Sequence, residues 1–271
     1  MTPSFSGQSQ AAGGGQVSYT GGSTNDPHGA AAGANALRRR RPAAHETMPA
    51  FIFMLTRDDR TVPDALDVYR RVRDVPNLRY VGFKDVGLPL DQLKRLAAEI
   101  RDAGQAVLLE VVSLSEADEL NSARGAVDIG VDYLLGGTRP EKVIPLLAGS
   151  GIRYFPFCGR TIGHPTQLRG TVEEIVADAA RLAAMPGVSG LDLLAYRYDG
   201  DVERLTAAVT AAVRVPVIAA GSIDRVERIE SVGRCGAWGF TVGGAIFEGR
   251  FGPGPVTAQV RTVLEASAGR H

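Results

Sequence analysis

Lysine is scarce in this chain. Thirty basic residues include only Lys84, Lys94 and Lys142. Lys84 stands in Gly82-Phe83-Lys84-Asp85-Val86-Gly87, at the end of an apolar run. A lysine in such a place can act as a Schiff-base nucleophile, or as an ammonium that stabilises an enediolate. Glu110 closes a second apolar run, Ala106-Val107-Leu108-Leu109-Glu110-Val111. A carboxylate there is costly unless paired. The two residues form either an acid/base couple or a structural ion pair. If the pair sits at a solvated mouth, it contributes only ~0–1 kcal/mol. Lys84→Met is then expected to leave the melting curve nearly unchanged while lowering turnover.

The long segment Cys158–Gly170 holds His164, Arg160 and Arg169. The other histidines are His28, His45 and the terminal His271. His164 is therefore the one imidazole available for general acid/base work within the folded body. Arg160 suits a substrate oxyanion or a second phosphate. Arg197, in Tyr196-Arg197-Tyr198-Asp199, and Arg57 with Asp58, just past another apolar run, are further candidates for substrate binding. Asp59 and Asp85 rank below them, because loop aspartates are more often turn formers or caps. Cys158 reads as a small buried residue, since no base has a fixed place beside it.

Two glycine-bearing segments suggest what the substrate carries. Pro216-Val217-Ile218-Ala219-Ala220-Gly221-Ser222-Ile223 is followed by Gly239-Phe240-Thr241-Val242-Gly243-Gly244-Ala245-Ile246-Phe247. Glycines let backbone N–H groups approach a dianion closely, and a helix start adds a favourable dipole. Together the two segments read as a candidate phosphate cradle.

The elements that must position these groups are legible from periodicity. Eight short apolar runs are predicted as strands: Ala50–Leu55, Arg79–Phe83, Ala106–Val111, Val131–Leu135, Ile152–Phe157, Leu191–Ala195, Pro216–Ala220 and Trp238–Val242. Near-continuous apolar runs suit parallel strands buried on both faces. Helical patterns alternate with them, such as Leu90–Ala103, where Leu93, Leu96, Ala97 and Ile100 share a stripe. Thr171-Val172-Glu173-Glu174 is a capping box. Eight strand–helix units predict an α/β fold, a (β/α)8 TIM barrel over residues 48–271. In such a barrel catalytic groups sit at the carboxyl ends of the strands, and phosphate sites recur after strands seven and eight. By the same rule Asp132 and Asp192, placed near predicted strand starts, are expected to be structural.

VIAAGSI followed by AWGFTVGGAIFEGRF resembles the C-terminal quarter of the ribulose-phosphate-binding barrel superfamily. Its members include the phosphoribosyl-formimino carboxamide isomerase of histidine biosynthesis, its cyclase relative, and N-acetylmannosamine-6-phosphate epimerase. The resemblance implies a barrel that handles phosphorylated sugars, and carried over residue by residue it assigns phosphate contacts to Gly221, Ser222, Gly243 and Gly244. The isomerase type carries an aspartate at the end of strand one and another after strand five. Here the first acids come two or three residues late, and strand five ends in Cys158-Gly159-Arg160. The epimerase type carries a lysine at the end of strand two, matched by Lys84, and an acid before the strand-seven glycine, where this chain has Ala220. The pattern is that of a separate branch.

Composition narrows the function classes. Thirty basic and thirty acidic residues cancel, so no nucleic-acid or membrane partner is expected. Two cysteines make neither a disulfide scaffold nor a zinc cluster, and point to the cytoplasm. Residues 1–47, rich in Gly, Ser and Ala, have no period and are expected to be a disordered tail. Arg38–Arg41 lack the apolar stretch of an export signal, and Met48 is an alternative start. The expected activity is isomerisation or epimerisation of a phosphorylated small molecule by proton transfer next to a carbonyl. No metal or other cofactor is required, and a homo-oligomer is left open. The alternatives are a class I aldolase with Lys84 as Schiff base, and a barrel that only binds a phosphometabolite.

Overall fold

The computed structural model describes residues 48–112, 115–163 and 165–269. The expected tail and His164 lie outside the described residues. Eight parallel strands build the sheet: β1 (Ala50–Met54), β2 (Tyr80–Lys84), β3 (Ala106–Val111), β4 (Tyr133–Gly136), β5 (Arg153–Phe155), β6 (Leu191–Leu193), β7 (Val217–Ala219) and β8 (Gly239–Val242). They run in the order β6-β7-β8-β1-β2-β3-β4-β5. Parallel bridges Tyr154–Val188 and Phe157–Asp192 join β5 to β6 and close the ring. The (β/α)8 barrel expected from the sequence is therefore the observed fold.

Helices alternate with the strands: α1 (Ala65–Val72), α2 (Leu90–Asp102), α3 (Glu116–Ile129), α4 (Pro140–Leu147), α5 (Val172–Ala183), α6 (Val202–Ala212), α7 (Val226–Arg234), the short α8 (Gly244–Phe247) and α9 (Val256–Ser267). Their starts follow local chemistry. Ser115 caps α3, Pro140 occupies the first turn of α4, and Thr171 with Glu174 forms the capping box of α5. The stripe Leu93, Leu96, Ala97 and Ile100 of α2 is buried against the sheet. Thr171→Ala removes one partner of a helix start and is expected to cost about 1 kcal/mol, read as a lower urea midpoint at unchanged slope.

Strand alternation divides the apolar side chains into two cores. Val81, Phe83, Val107 and Leu109 face the helices, while Ile52, Met54, Leu108, Leu135 and Ile218 fill the barrel. Tyr133, Phe155 and Trp238 pack below them, with ring centroids 5.7 to 6.2 Å apart, and Arg153 lies 4.0 Å from the Tyr133 ring. The interior is thus apolar except at the end where Lys84 and Glu110 emerge.

Two elements were not foreseen. Past β1 the chain makes a small hairpin, Thr56–Arg57 against Arg60–Thr61, and α1 starts only at Ala65. The long segment after β5 is another hairpin, Arg160–Ile162 against Gln167–Arg169. No helix among the described residues is long and apolar enough to cross a membrane.

Candidate active site

Lys84 ends β2 and is the register partner of Glu110 on β3. Because Val81 and Phe83 take the helix-facing side, Lys84 turns into the barrel mouth. Its Nζ lies 3.5 Å from Glu110 Oε1 and donates to Asp59 Oδ1 at 2.7 Å. The Lys84 and Glu110 residues are only 5 % and 7 % exposed. This corrects the expectation of a solvated pair: the β1 hairpin covers the lysine, and the ion pairs are buried.

Asp59 arrives by way of that hairpin. Asp58 and Asp59 both adopt left-handed backbone, with φ of 52° and 56°, as the two central residues of a tight hairpin turn do. The returning strand is fixed to β2 by Thr61 Oγ1, which donates to the Lys84 carbonyl at 2.9 Å and accepts the Lys84 N–H at 2.9 Å. The turn so drops Asp59 onto the ammonium. Across the mouth Arg197, in the 3-10 turn Ala195–Arg197 after β6, donates to Asp59 Oδ2 at 2.9 Å and Oδ1 at 2.6 Å. It also reaches the Thr166 carbonyl at 3.2 Å. Burial by itself would raise the Asp59 pKa, but the hydrogen bonds and charges of Arg197 and Lys84 outweigh it and hold the carboxyl well below the usual range.

Asp192 is the second acid that sequence reasoning undervalued. It lies mid-strand in β6, is 0 % exposed, and neither carboxyl oxygen has a hydrogen-bond partner among the described residues. The barrel's stagger explains the misplacement: Asp192 is level with Phe157, beyond the carboxyl end of β5, and not at the stability face. Burial pushes its pKa well up, and the Glu110 charge pushes it further, against the opposing charges of Lys84 and Arg197. Asp132, by contrast, accepts the Val107 N–H at 2.7 Å at the start of β3, a structural role.

A cavity of about 860 Å³ opens above Lys84 and Glu110. Gly221, Ser222, Gly243 and Gly244 form another part of its wall, and Arg57, Asp58 and Arg197 line it as well. Gly221 has φ of +112°, and a Cβ there would meet the Tyr196 backbone at 3.1 Å. A Cβ on Gly243 would come within 2.8 Å of the Thr56 carbonyl oxygen, so this glycine also lets the β1 hairpin pass. Gly244 is roomier, its nearest neighbour being Glu248 Oε1 at 3.7 Å from a built Cβ.

The structure does not bring Arg160 to this cavity. It lines a different groove of about 500 Å³ with Arg169, Asp178 and Arg181. Arg197 is in the mouth, but its guanidinium is committed to Asp59. Cys158 is buried, and burial pushes its thiol pKa far up, as suits a packing residue and not a nucleophile. Among the described residues no three His, Cys, Asp or Glu side chains are grouped to hold a metal ion.

Neither a protein-family model nor a curated protein sequence matches this chain. Its fold is similar to that of solved structures. Thiamine phosphate pyrophosphorylase from Pyrococcus furiosus is 14 % identical with a TM-score of 0.57, over 82 % of this chain and 96 % of that one. A mutant tryptophan synthase α-subunit from the same organism is 14 % identical, at 0.58, over 81 % and 98 %. A native KDPGal structure is 14 % identical, at 0.56, over 80 % and 96 %. At such identities the likeness is one of fold.

Proposed function

We propose that the cavity takes a phosphorylated carbonyl compound and moves a proton next to its carbonyl, as an isomerase or epimerase does. The observation that carries this reading is the Lys84–Glu110 pair on adjacent strand ends, beneath the same cavity that Gly221, Ser222, Gly243 and Gly244 line. The glycine segments would hold the phosphate through backbone N–H groups. Glu110 would take the proton, and the Lys84 ammonium would stabilise the enediolate oxygen. Support for the phosphate comes from the position after strands seven and eight, and from a fold neighbour named for thiamine phosphate. The resemblance of VIAAGSI and AWGFTVGGAIFEGRF to sugar-phosphate isomerases and epimerases supports the finer reaction class. Lys84 already binds two carboxylates, so imine formation would have to break both ion pairs; the electrophilic role asks for no such change.

The test is exchange in D₂O. A panel of phosphosugars is incubated with the protein, and proton NMR follows the C–H beside the carbonyl. Exchange is expected, falling by about 10²-fold or more in Glu110→Gln. Binding without exchange would favour the binding-only barrel. A borohydride-trapped adduct at Lys84 would favour the aldolase.

The phosphate end is tested separately. Gly244→Asp puts a carboxylate into space the fold leaves open, so the melting temperature should hold. Affinity for a turned-over phosphosugar should fall at least about tenfold through charge repulsion. Unchanged affinity would move the phosphate elsewhere. Gly243→Asp is a poorer probe, because its Cβ collides with Thr56.

A further inference from the structure

We propose that Asp192 is a positioning residue that acts on Glu110 through charge and without a hydrogen bond: Asp192 keeps a proton inside the barrel, and Glu110 serves as the base. The inference rests on the proton-transfer reading of the cavity. Its structural ground is separate, a carboxyl sealed in the barrel with both oxygens unpartnered among the described residues. Charged groups bear on Asp192 from three sides: Glu110 from β3, Lys84 from β2, and Arg197 from the turn after β6. The Cys158 thiol, beyond β5, is the fourth neighbouring titratable group.

The charges of the cluster give the proton a purpose. Lys84 and Arg197 are cations, and Asp59 and Glu110 are their anions. With Asp192 uncharged the buried cluster is balanced. An ionised Asp192 would be a third anion with no cation of its own, which a dry interior tolerates poorly. In the reaction a C–H bond next to the carbonyl breaks. Its proton forms an O–H bond on Glu110, and its electron pair moves into the enediolate, whose negative oxygen faces Lys84. The hydroxyl on that carbon passes its proton to the former carbonyl oxygen and becomes the new carbonyl; returning the Glu110 proton to the former carbonyl carbon completes the isomerisation and frees Glu110. Asp192 exchanges nothing with the substrate. It does not line the cavity, and it acts by keeping a third negative charge away from the developing enediolate.

The test needs no substrate. The full chain is labelled with ¹³C at aspartate side-chain carboxyls and titrated by NMR. One resonance is expected to keep the protonated shift from about pH 5 to about pH 7, where ordinary aspartates are ionised. It should vanish in Asp192→Asn. In Glu110→Gln its midpoint should move toward acid by about one pH unit or more, since a like charge has been removed. Asp192→Asn and Asp192→Leu should both melt higher than wild type at pH 8, with the gap closing toward pH 4, because the native protein keeps this proton above the pH at which the unfolded chain loses it. Spectra in which every aspartate is ionised by about pH 6, or a midpoint unmoved in Glu110→Gln, would overturn the proposal. Where exchange is measurable, wild type should lose rate on the alkaline side as Asp192 ionises, and Asp192→Asn should lack that limb. An alkaline limb retained in Asp192→Asn would overturn the proposed effect on Glu110. Absence of exchange with any phosphosugar would remove the proton-transfer reading and leave the carboxyl titration standing.

Discussion

Lys84→Met is expected to lower stability at neutral pH by about 3–5 kcal/mol, the range for breaking a buried ion pair by deleting one partner. The ammonium lies between Asp59 and Glu110, and all three side chains are under 10 % exposed. Deleting it leaves Asp59 its Arg197 bonds but strips Glu110 of its cation, beside Asp192. The double variant Lys84→Met/Glu110→Gln should recover much of the loss, because no unpaired charge remains. Exchange activity should fall by about 10²-fold or more in both, since the enediolate loses its cation. Urea midpoints give the first result and D₂O exchange the second. A single variant that unfolds at the wild-type midpoint would show that the ammonium is solvated and the pair open to water.

Asp59→Asn should produce a second large loss, again about 3–5 kcal/mol at neutral pH. Its carboxylate holds Lys84 and Arg197 at 2.6–2.9 Å, and an amide leaves two cations facing a neutral group. The pH dependence has a definite sign. The folded pKa of Asp59 lies below its unfolded value near 3.9, so its stabilisation is complete above that value and drains away as pH falls through the folded pKa. Wild type should therefore weaken steeply below about pH 4, and Asp59→Asn should weaken less steeply there. Thermal melts from about pH 2 to about pH 7 measure both. Equal slopes in the two proteins would assign the acid sensitivity to other carboxylates. The hairpin should also loosen, because Asp59 is the point at which Lys84 and Arg197 hold its tip.

Much of the fold was legible in the chain. The eight apolar runs fall within a few residues of the eight strands, because strands buried on both faces must be apolar almost throughout. The capping box at Thr171 and the stripe on α2 are local chemistry and occur where expected. Lys84 and Glu110 were legible for a related reason: a charge that ends an apolar strand has few places to go. The glycine segments after β7 and β8 were readable because barrels put loops of that kind around one mouth.

Asp59 and Asp192 were harder. A faint signal existed for Asp59, since Thr-Arg-Asp-Asp-Arg-Thr is a short hairpin sequence with two residues able to take left-handed backbone. That signal gives the turn and not its destination, which depends on Thr61 pairing with the Lys84 backbone from a distant segment. Arg160 shows the converse, an apparently well-placed arginine that its hairpin carries to another groove.

The sequence by itself determined the barrel, the strand ends that carry Lys84 and Glu110, and the glycine-lined wall, because alternation and backbone freedom are properties of neighbouring residues. Only the tertiary structure decided that Lys84 is buried under Asp59 and clamped through Arg197, and that Asp192 is sealed in the barrel level with Phe157, with neither carboxyl oxygen partnered among the described residues. Those facts depend on the stagger between β5 and β6 and on the path of one hairpin. A shift of a single residue in either would turn the carboxylates to another face, and no local pattern encodes such a shift.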